Sequence, residues 1–320
     1  MTRPRRPIAG GAFEDVAGEI PRRRWGARPS ERFLGPLMLA PAVLYIVLLV
    51  AGPLVFALYL SVSNATTGSP TLEFVGPANF LRAMQSPIFR SALTNTFLFT
   101  IVAQVLVMIL GNITALALQQ PFRGRSLARF LILLPWATPI SLAAIGWKWM
   151  FDSLYSVVNW MLKVAHIIGP TDFPQWLGVP SLAMASVITV HVWRTFPFSA
   201  VVILAGLTSI PQEVLDAAAV DGAGYLQRLF HILIPMLTPI LAIAFLFGTV
   251  FTFTDMGVVY ILTNGNPFNT THVLSSWAFQ VGIIAGDLGQ GAAVALFLLP
   301  VLLIGAITML RFASRAETGV

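Results

Sequence analysis

Arg194 and Asp255 are ionisable side chains set inside otherwise apolar stretches of the sequence. A charge at bilayer depth is costly, and it persists where it is paired or faces a polar pathway. Both readings are open here: a pair that locks neighbouring helices, or a polar wall that hydrogen-bonds a passing solute. Small and polar residues recur around both at helical spacing. Gly248, Thr252 and Asp255 fall at i, i+4 and i+7, and His191, Arg194, Thr195 and Ser199 share one face. Asn95, Gln104 and Asn112 form a third set. Such faces suit a cavity between helices, and they also serve as helix–helix glue.

Other chemistries are poorly provided for. The chain has no Cys, which excludes disulfides, thiol nucleophiles and thiolate metal sites. Its four His, at 166, 191, 231 and 272, are at least 25 residues apart, so no two ligate one metal from successive helical turns. Lys148 is followed by Trp149 and Lys163 by Val164, so neither belongs to a Gly-Lys-Ser/Thr phosphate loop. No catalytic or metal-binding residue and no cofactor is expected in this chain. Any ATP-driven work falls to a partner that holds the ATP and Mg.

The elements that must position these residues are membrane spans. Of the 320 residues, 57% are hydrophobic and 10% charged, against about 25% charged in an average soluble domain. Mean hydropathy is +0.81. A bilayer core of roughly 30 Å needs about 20 apolar residues in helix. Six stretches qualify, at 33–60, 92–118, 130–150, 181–207, 236–262 and 288–310. The expected fold is therefore an all-α polytopic membrane protein with six transmembrane helices. Placing both termini in the cytoplasm puts fourteen Lys and Arg inside and four outside, the distribution that fixes topology. Eight of the fourteen lie in a polar tail over residues 1–32.

In that frame Arg194 lies about 13 residues, roughly 20 Å, below the outer end of its span, and Asp255 about 8 residues, roughly 12 Å. Helical side chains lean toward their own N-terminus, so these two lean toward each other. The outer loops, 63–91, 151–180 and 263–287, have room for short surface helices.

The segment between the fourth and fifth spans is no plain connector. It runs from Pro211 through Glu213, Asp216-Ala217-Ala218, Asp221-Gly222-Ala223 and Ile232 to Pro235 and Pro239. Pro211 suits a helix's first turn. The small residues after it let another surface come close. Asp221-Gly222 marks a turn. Tyr225 to Ile234 then reads as a second short helix stopped at Pro235, which completes a helix–turn–helix knob.

This segment resembles the Glu-Ala-Ala loop of ATP-binding-cassette importer permeases, with Asp216 and Ile234 as its departures. Other stretches are similar to the maltose-type, sugar-transporting branch of that family: Phe74-Val75-Gly76, Pro121-Phe122-Arg123-Gly124-Arg125, Leu134-Pro135-Trp136 and Val192-Trp193-Arg194-Thr195. The Arg-rich tail is similar to that of actinobacterial trehalose importers. The resemblance implies the type I permease fold over 33–312, with a coupling loop at 209–235 and cytoplasmic tails at 1–32 and 313–320. It implies a chain that forms half of a translocation pathway in a bacterial inner membrane. Its implied partners are a second homologous permease, a cytoplasmic ATPase dimer and an extracytoplasmic sugar-binding lipoprotein. Glu213, Asp216, Ala217, Ala218, Asp221, Gly222, Ala223 and Pro235 would form the coupling surface. Asn95, Trp193, Arg194, Gly248, Thr252, Phe253 and Asp255 are the substrate-pathway candidates, with Trp193 and Phe253 offering aromatic faces. The implied cargo is a carbohydrate, a disaccharide such as trehalose favoured over glycerol phosphate or another oligosaccharide. The alternative is a stand-alone secondary carrier, for which one intraspan carboxylate is few and the knob has no use.

Overall fold

A computed structural model describes residues 29–69 and 72–318. The tail expected over 1–32 lies mostly outside the described residues. By internal contacts the chain falls into two units, 1–54 and 55–320. In the first, helix α1 (Pro29–Ile46) passes through a π turn at Val47–Ala51, where Gly52 N–H reaches the Val47 carbonyl just before Pro53. Its described apolar side chains, from Leu37 to Val50, are exposed on every face. A helix that is apolar all round belongs in hydrocarbon.

The second unit is all-α. Among the described residues its β pairing is limited to an isolated bridge between Ser63 and Phe74. Helix α2 (Gly52–Ser61) enters it, and α3 (Ala78–Gln85) lies in the connection to α4 (Pro87–Gln119). Helix α4 is 33 residues long, roughly 50 Å at 1.5 Å per residue. It packs most extensively on α8 (Pro180–Ser209). Gly111 allows that approach, since a Cβ there would lie 3.1 Å from Ser199 Cβ and 3.3 Å from the Ala200 nitrogen. Helix α11 (Ile234–Thr254), with α14 (Leu288–Leu296) leading into α15 (Leu298–Thr318), closes the bundle. Its apolar core has three centres, around Phe99, Phe253 and Ile203.

The third expected span, 130–150, is broken. Helix α5 (Arg125–Ala137) and α6 (Ile140–Met150) meet at 91°. The cause is Pro139, which forces Thr138 into an extended conformation (φ −72°, ψ 131°). The Thr138 hydroxyl then closes α5 by donating to the Leu134 carbonyl at 2.6 Å. Among the described residues five helices are long and apolar enough to span a membrane, or six with the bent pair counted as one.

The fifth expected span, 236–262, is shifted and interrupted. Helical structure runs without a gap from Tyr225 to Thr254. It then stops at Asp255 (φ −67°, ψ 118°) and resumes as α12 (Gly257–Leu262). Pro235 does not stop the second helix of the knob. A π turn at Leu229–Leu233 lets Ile234 N–H bond the Leu229 carbonyl, and Pro235 follows in the first turn of α11, where its missing N–H costs little. The connections 151–180 and 263–287 carry short helices, α7 (Val157–Val164) and α13 (Leu274–Phe279), the second of which buries Leu274 and Ser276.

Candidate functional site: a polar cavity and a helical hairpin

A cavity of about 390 Å³ opens between α4, α5, α8 and α11. Helix α8 contributes Arg194, Thr195, Phe198 and Ser199, one stripe at helical spacing, and α11 contributes Ala244, Gly248 and Phe251. Val107, Trp136 and Asp255 complete the wall. Trp136 stacks on Phe198 with ring centres 5.5 Å apart and planes 20° apart. The wall thus combines an ion pair, two hydroxyls and aromatic faces.

Asp255 organises this site because it sits at the break between α11 and α12. One oxygen, Oδ1, accepts from the Gly257 N–H at 2.8 Å and so caps α12. The other, Oδ2, lies 2.8 Å from His191 Nδ1 and 3.6 Å from Arg194 Nη2. His191 Nε2 in turn meets the Thr252 hydroxyl at 2.9 Å, and that hydroxyl is 2.7 Å from the Gly248 carbonyl. Sequence reasoning put His191 on the right face but missed it as the nearer partner of Asp255. The signal was its position one turn before Arg194. Asp255 itself is off the helix, so its i+7 relation to Gly248 is only approximate. The Arg194–Asp255 pair also lines the cavity, so the two readings of these charges are not exclusive.

The remaining pathway candidates fall elsewhere. Asn95 donates to the Thr270 and His272 carbonyls at 2.6 and 3.0 Å and ties a loop to α4. Beneath that loop the His272 imidazole meets Ser276 Oγ, and burial holds its pKa down to about 4. Trp193 packs edge-on against Trp147 at 5.5 Å. Thr252 is buried behind the cavity wall, and Phe253 is buried in a core cluster with its ring 5.7 Å from Phe97. Gln104 stands behind Gly248, so close that a Cβ on the glycine would lie 2.5 Å from its Nε2. Both polar atoms of the Gln104 amide are buried without a partner among the described residues.

At the far end of the same helical run stands the hairpin. Helix α9 (Gln212–Val220) follows Pro211, and α10 (Tyr225–Arg228) follows Gly224. The turn between them is a Schellman closure: Gly222 N–H bonds the Ala219 carbonyl and Ala223 N–H the Ala218 carbonyl. Gly222 has φ +76°, which a side chain would strain. Leu215 and Leu229 anchor the hairpin on the core around Ile203, and Ala218 is buried. Glu213, Asp216, Ala217 and Asp221 face outward, as do Val220 (88% exposed) and Leu226 (65%). Asp216 accepts from Gln212 Nε2 at 3.0 Å.

A bundle of spans with a polar cavity and an external hairpin is the architecture of a transport subunit. Residues 109–318 match the family model described as binding-protein-dependent transport system inner membrane component, and the chain belongs to that family. It is 33% identical over 266 residues to a trehalose/maltose transport system permease protein, MalF, of Thermococcus litoralis, covering 83% of this chain and 88% of that one. It is 34% identical over 269 residues to the sulfoquinovosyl glycerol permease SmoG of Agrobacterium fabrum, covering 83% and 85%. With the trehalose permease SugA of Mycobacterium tuberculosis identity is 29% over 292 residues, 90% of each chain. Among solved structures, a bacterial alginate ABC transporter bound to an alginate-loaded periplasmic protein superposes with a TM-score of 0.76 at 20% identity, over 89% of this chain and 96% of that one.

Proposed function

We propose that this chain forms half of the translocation pathway of an ATP-driven, binding-protein-dependent carbohydrate importer. The cargo is a small glycoside, with a disaccharide such as trehalose favoured. The observation that carries the reading is the exposed hairpin 211–230 on a chain of this permease family. It is anchored by Leu215 and Leu229 yet presents Val220, Tyr225, Leu226 and Phe230 outward. Such a surface suits a cytoplasmic ATPase dimer, which would hold the ATP and Mg and move the hairpin as it closes. This orientation agrees with the basic bias of the loops and places both termini inside. A second homologous permease would complete the pathway, and an extracytoplasmic sugar-binding protein would deliver the cargo.

Support for the sugar comes from two sides. The relatives named above are trehalose, maltose and sulfoquinovosyl glycerol permeases, and all three solutes are glycosides. The cavity wall offers what a glycoside needs: Trp136 and Phe198 as aromatic faces, with Arg194, Thr195 and Ser199 as hydrogen-bonding groups. In each state the solute biases the equilibrium only by its differential contacts.

The test is uptake by the reconstituted transporter from a panel of mono- and disaccharides, with and without ATP and binding protein. Uptake should need both, and trehalose should compete best. Saturable uptake by this chain alone in liposomes, without ATP, would make it a secondary carrier instead.

A further inference from the structure

A second cavity, of about 340 Å³, opens between α5 and the last turns of α8, toward the hairpin end of the bundle. Its wall is apolar, from Leu118 and Leu133 to Leu204, except for Arg129 and Thr208. Arg129 Nη2 donates to the Leu118 carbonyl at 3.2 Å. One turn earlier on α5, Arg125 Nη1 donates to the Gln119 carbonyl at 3.3 Å. Both guanidiniums are therefore drawn to the C-terminal end of α4, the negative end of its dipole. Among the described residues that leaves most of their donors unused, since each guanidinium has five.

Arg129 Nε is buried with no partner among the described residues. No ion pair among the described residues involves either arginine. A buried charged donor left open is costly, and a multi-oxygen anion is its natural complement. Yet the cleft beyond the arginines is hydrocarbon, which a free anion has no reason to enter. Phe122, Leu127 and Phe130 flank the arginines and are 45%, 60% and 62% exposed. The complement is a phosphate joined to alkyl chains.

We propose that this cleft binds an anionic phospholipid, with its phosphodiester on Arg125 and Arg129 and one acyl chain along Leu133 and Leu204. Basic pockets between spans hold acidic headgroups by the same pairing of charge and apolar wall. The Thr208 hydroxyl donates to the Ala205 carbonyl at 2.8 Å, which leaves its oxygen free to accept from a glycerol hydroxyl. The lipid would fasten the start of α5 to the end of α8, immediately before the hairpin.

The experiment is native mass spectrometry of the whole transporter in detergent, with phosphatidylglycerol or phosphatidylcholine of matched chains. The native protein should retain phosphatidylglycerol selectively, and the Arg125→Gln/Arg129→Gln variant should lose that retention by roughly tenfold or more, the scale of two basic contacts. Leu204→Trp, which fills the acyl part and leaves both arginines, should weaken it as well. That variant carries the test should the arginine variant fail to assemble. Inorganic phosphate should not compete. Equal retention by native and variant proteins would overturn the proposal. So would displacement by inorganic phosphate, or crosslinks from position 129 to another subunit with no lipid bound.

Discussion

The polar lock around Asp255 and the hairpin at 211–230 lie at opposite ends of one helical run, and they are built in opposite ways. At the lock, donors and acceptors find one another: Asp255 takes the Gly257 N–H, His191 Nδ1 and Arg194, while Thr252 joins His191 to the Gly248 carbonyl. At the hairpin the backbone is closed by its Schellman turn, but the apolar side chains of Val220, Tyr225, Leu226 and Phe230 have no cover. The first region is paired within the chain, apart from Arg194 Nε and the Gln104 amide, whereas the second leaves its apolar side chains exposed. A change at the lock should therefore act on folding, and a change at the hairpin on communication.

The largest effect should come from Asp255→Leu. It strands Arg194 without its counter-charge and His191 Nδ1 without its partner, and breaking a buried pair in this way costs about 3 kcal/mol or more. Thermal melting of the purified protein should fall sharply, and Arg194→Leu added to it should restore part of the loss. A variant as stable as the native chain would show that the lock is not structural. At the hairpin the sign of the comparison reverses. Asp216→Lys should leave melting unchanged while solute-stimulated ATP hydrolysis by the assembled transporter falls roughly tenfold, within the usual range of coupling between sites. Gly222→Val should lower stimulated hydrolysis likewise but also lower stability by about 1–2 kcal/mol, because φ +76° strains any side chain. Normal stimulated hydrolysis in both would remove the hairpin's role. A smaller effect is expected from Gly248→Ala, which stands between the two extremes. Its new methyl would displace the Gln104 amide, which is the far end of a flexible side chain. Stability should change by about 1 kcal/mol, with transport several-fold slower. Gln104→Ala in the same chain should relieve it, as a growth or uptake assay would reveal.

Much of this was legible from residue types alone. Runs of apolar residues long enough for a bilayer are hard to hide, and the knob's Pro211, Ala217-Ala218 and Gly222 mark its start, close-packed face and turn. The Arg194–Asp255 pair could be read because charges inside spans are few and must find each other. What stayed hidden depends on tertiary context. Thr138-Pro139 carries a break signal, yet Pro135 a turn earlier is absorbed within α5, so proline alone does not say which one bends the chain. Pro235 reads as a stop only if the preceding turn is α-helical, and the π turn at Leu229–Leu233 removes that condition. The roles of Asn95 and Phe253 were set by partners some 175 and 156 residues away in sequence, Thr270 and Phe97, which no local pattern reports.

The uninterrupted passage of α10 into α11 has a mechanical meaning. Had the chain stopped at Pro235, the hairpin would hang from the bundle on a hinge, and a pull on it would be spent in that joint. Instead Tyr225 and Thr254 are the two ends of a single 30-residue rod, roughly 45 Å long. Asp255 follows its far end, so under the proposed function a pull on the hairpin would reach the bonds to His191 and Arg194 and the cavity wall they form.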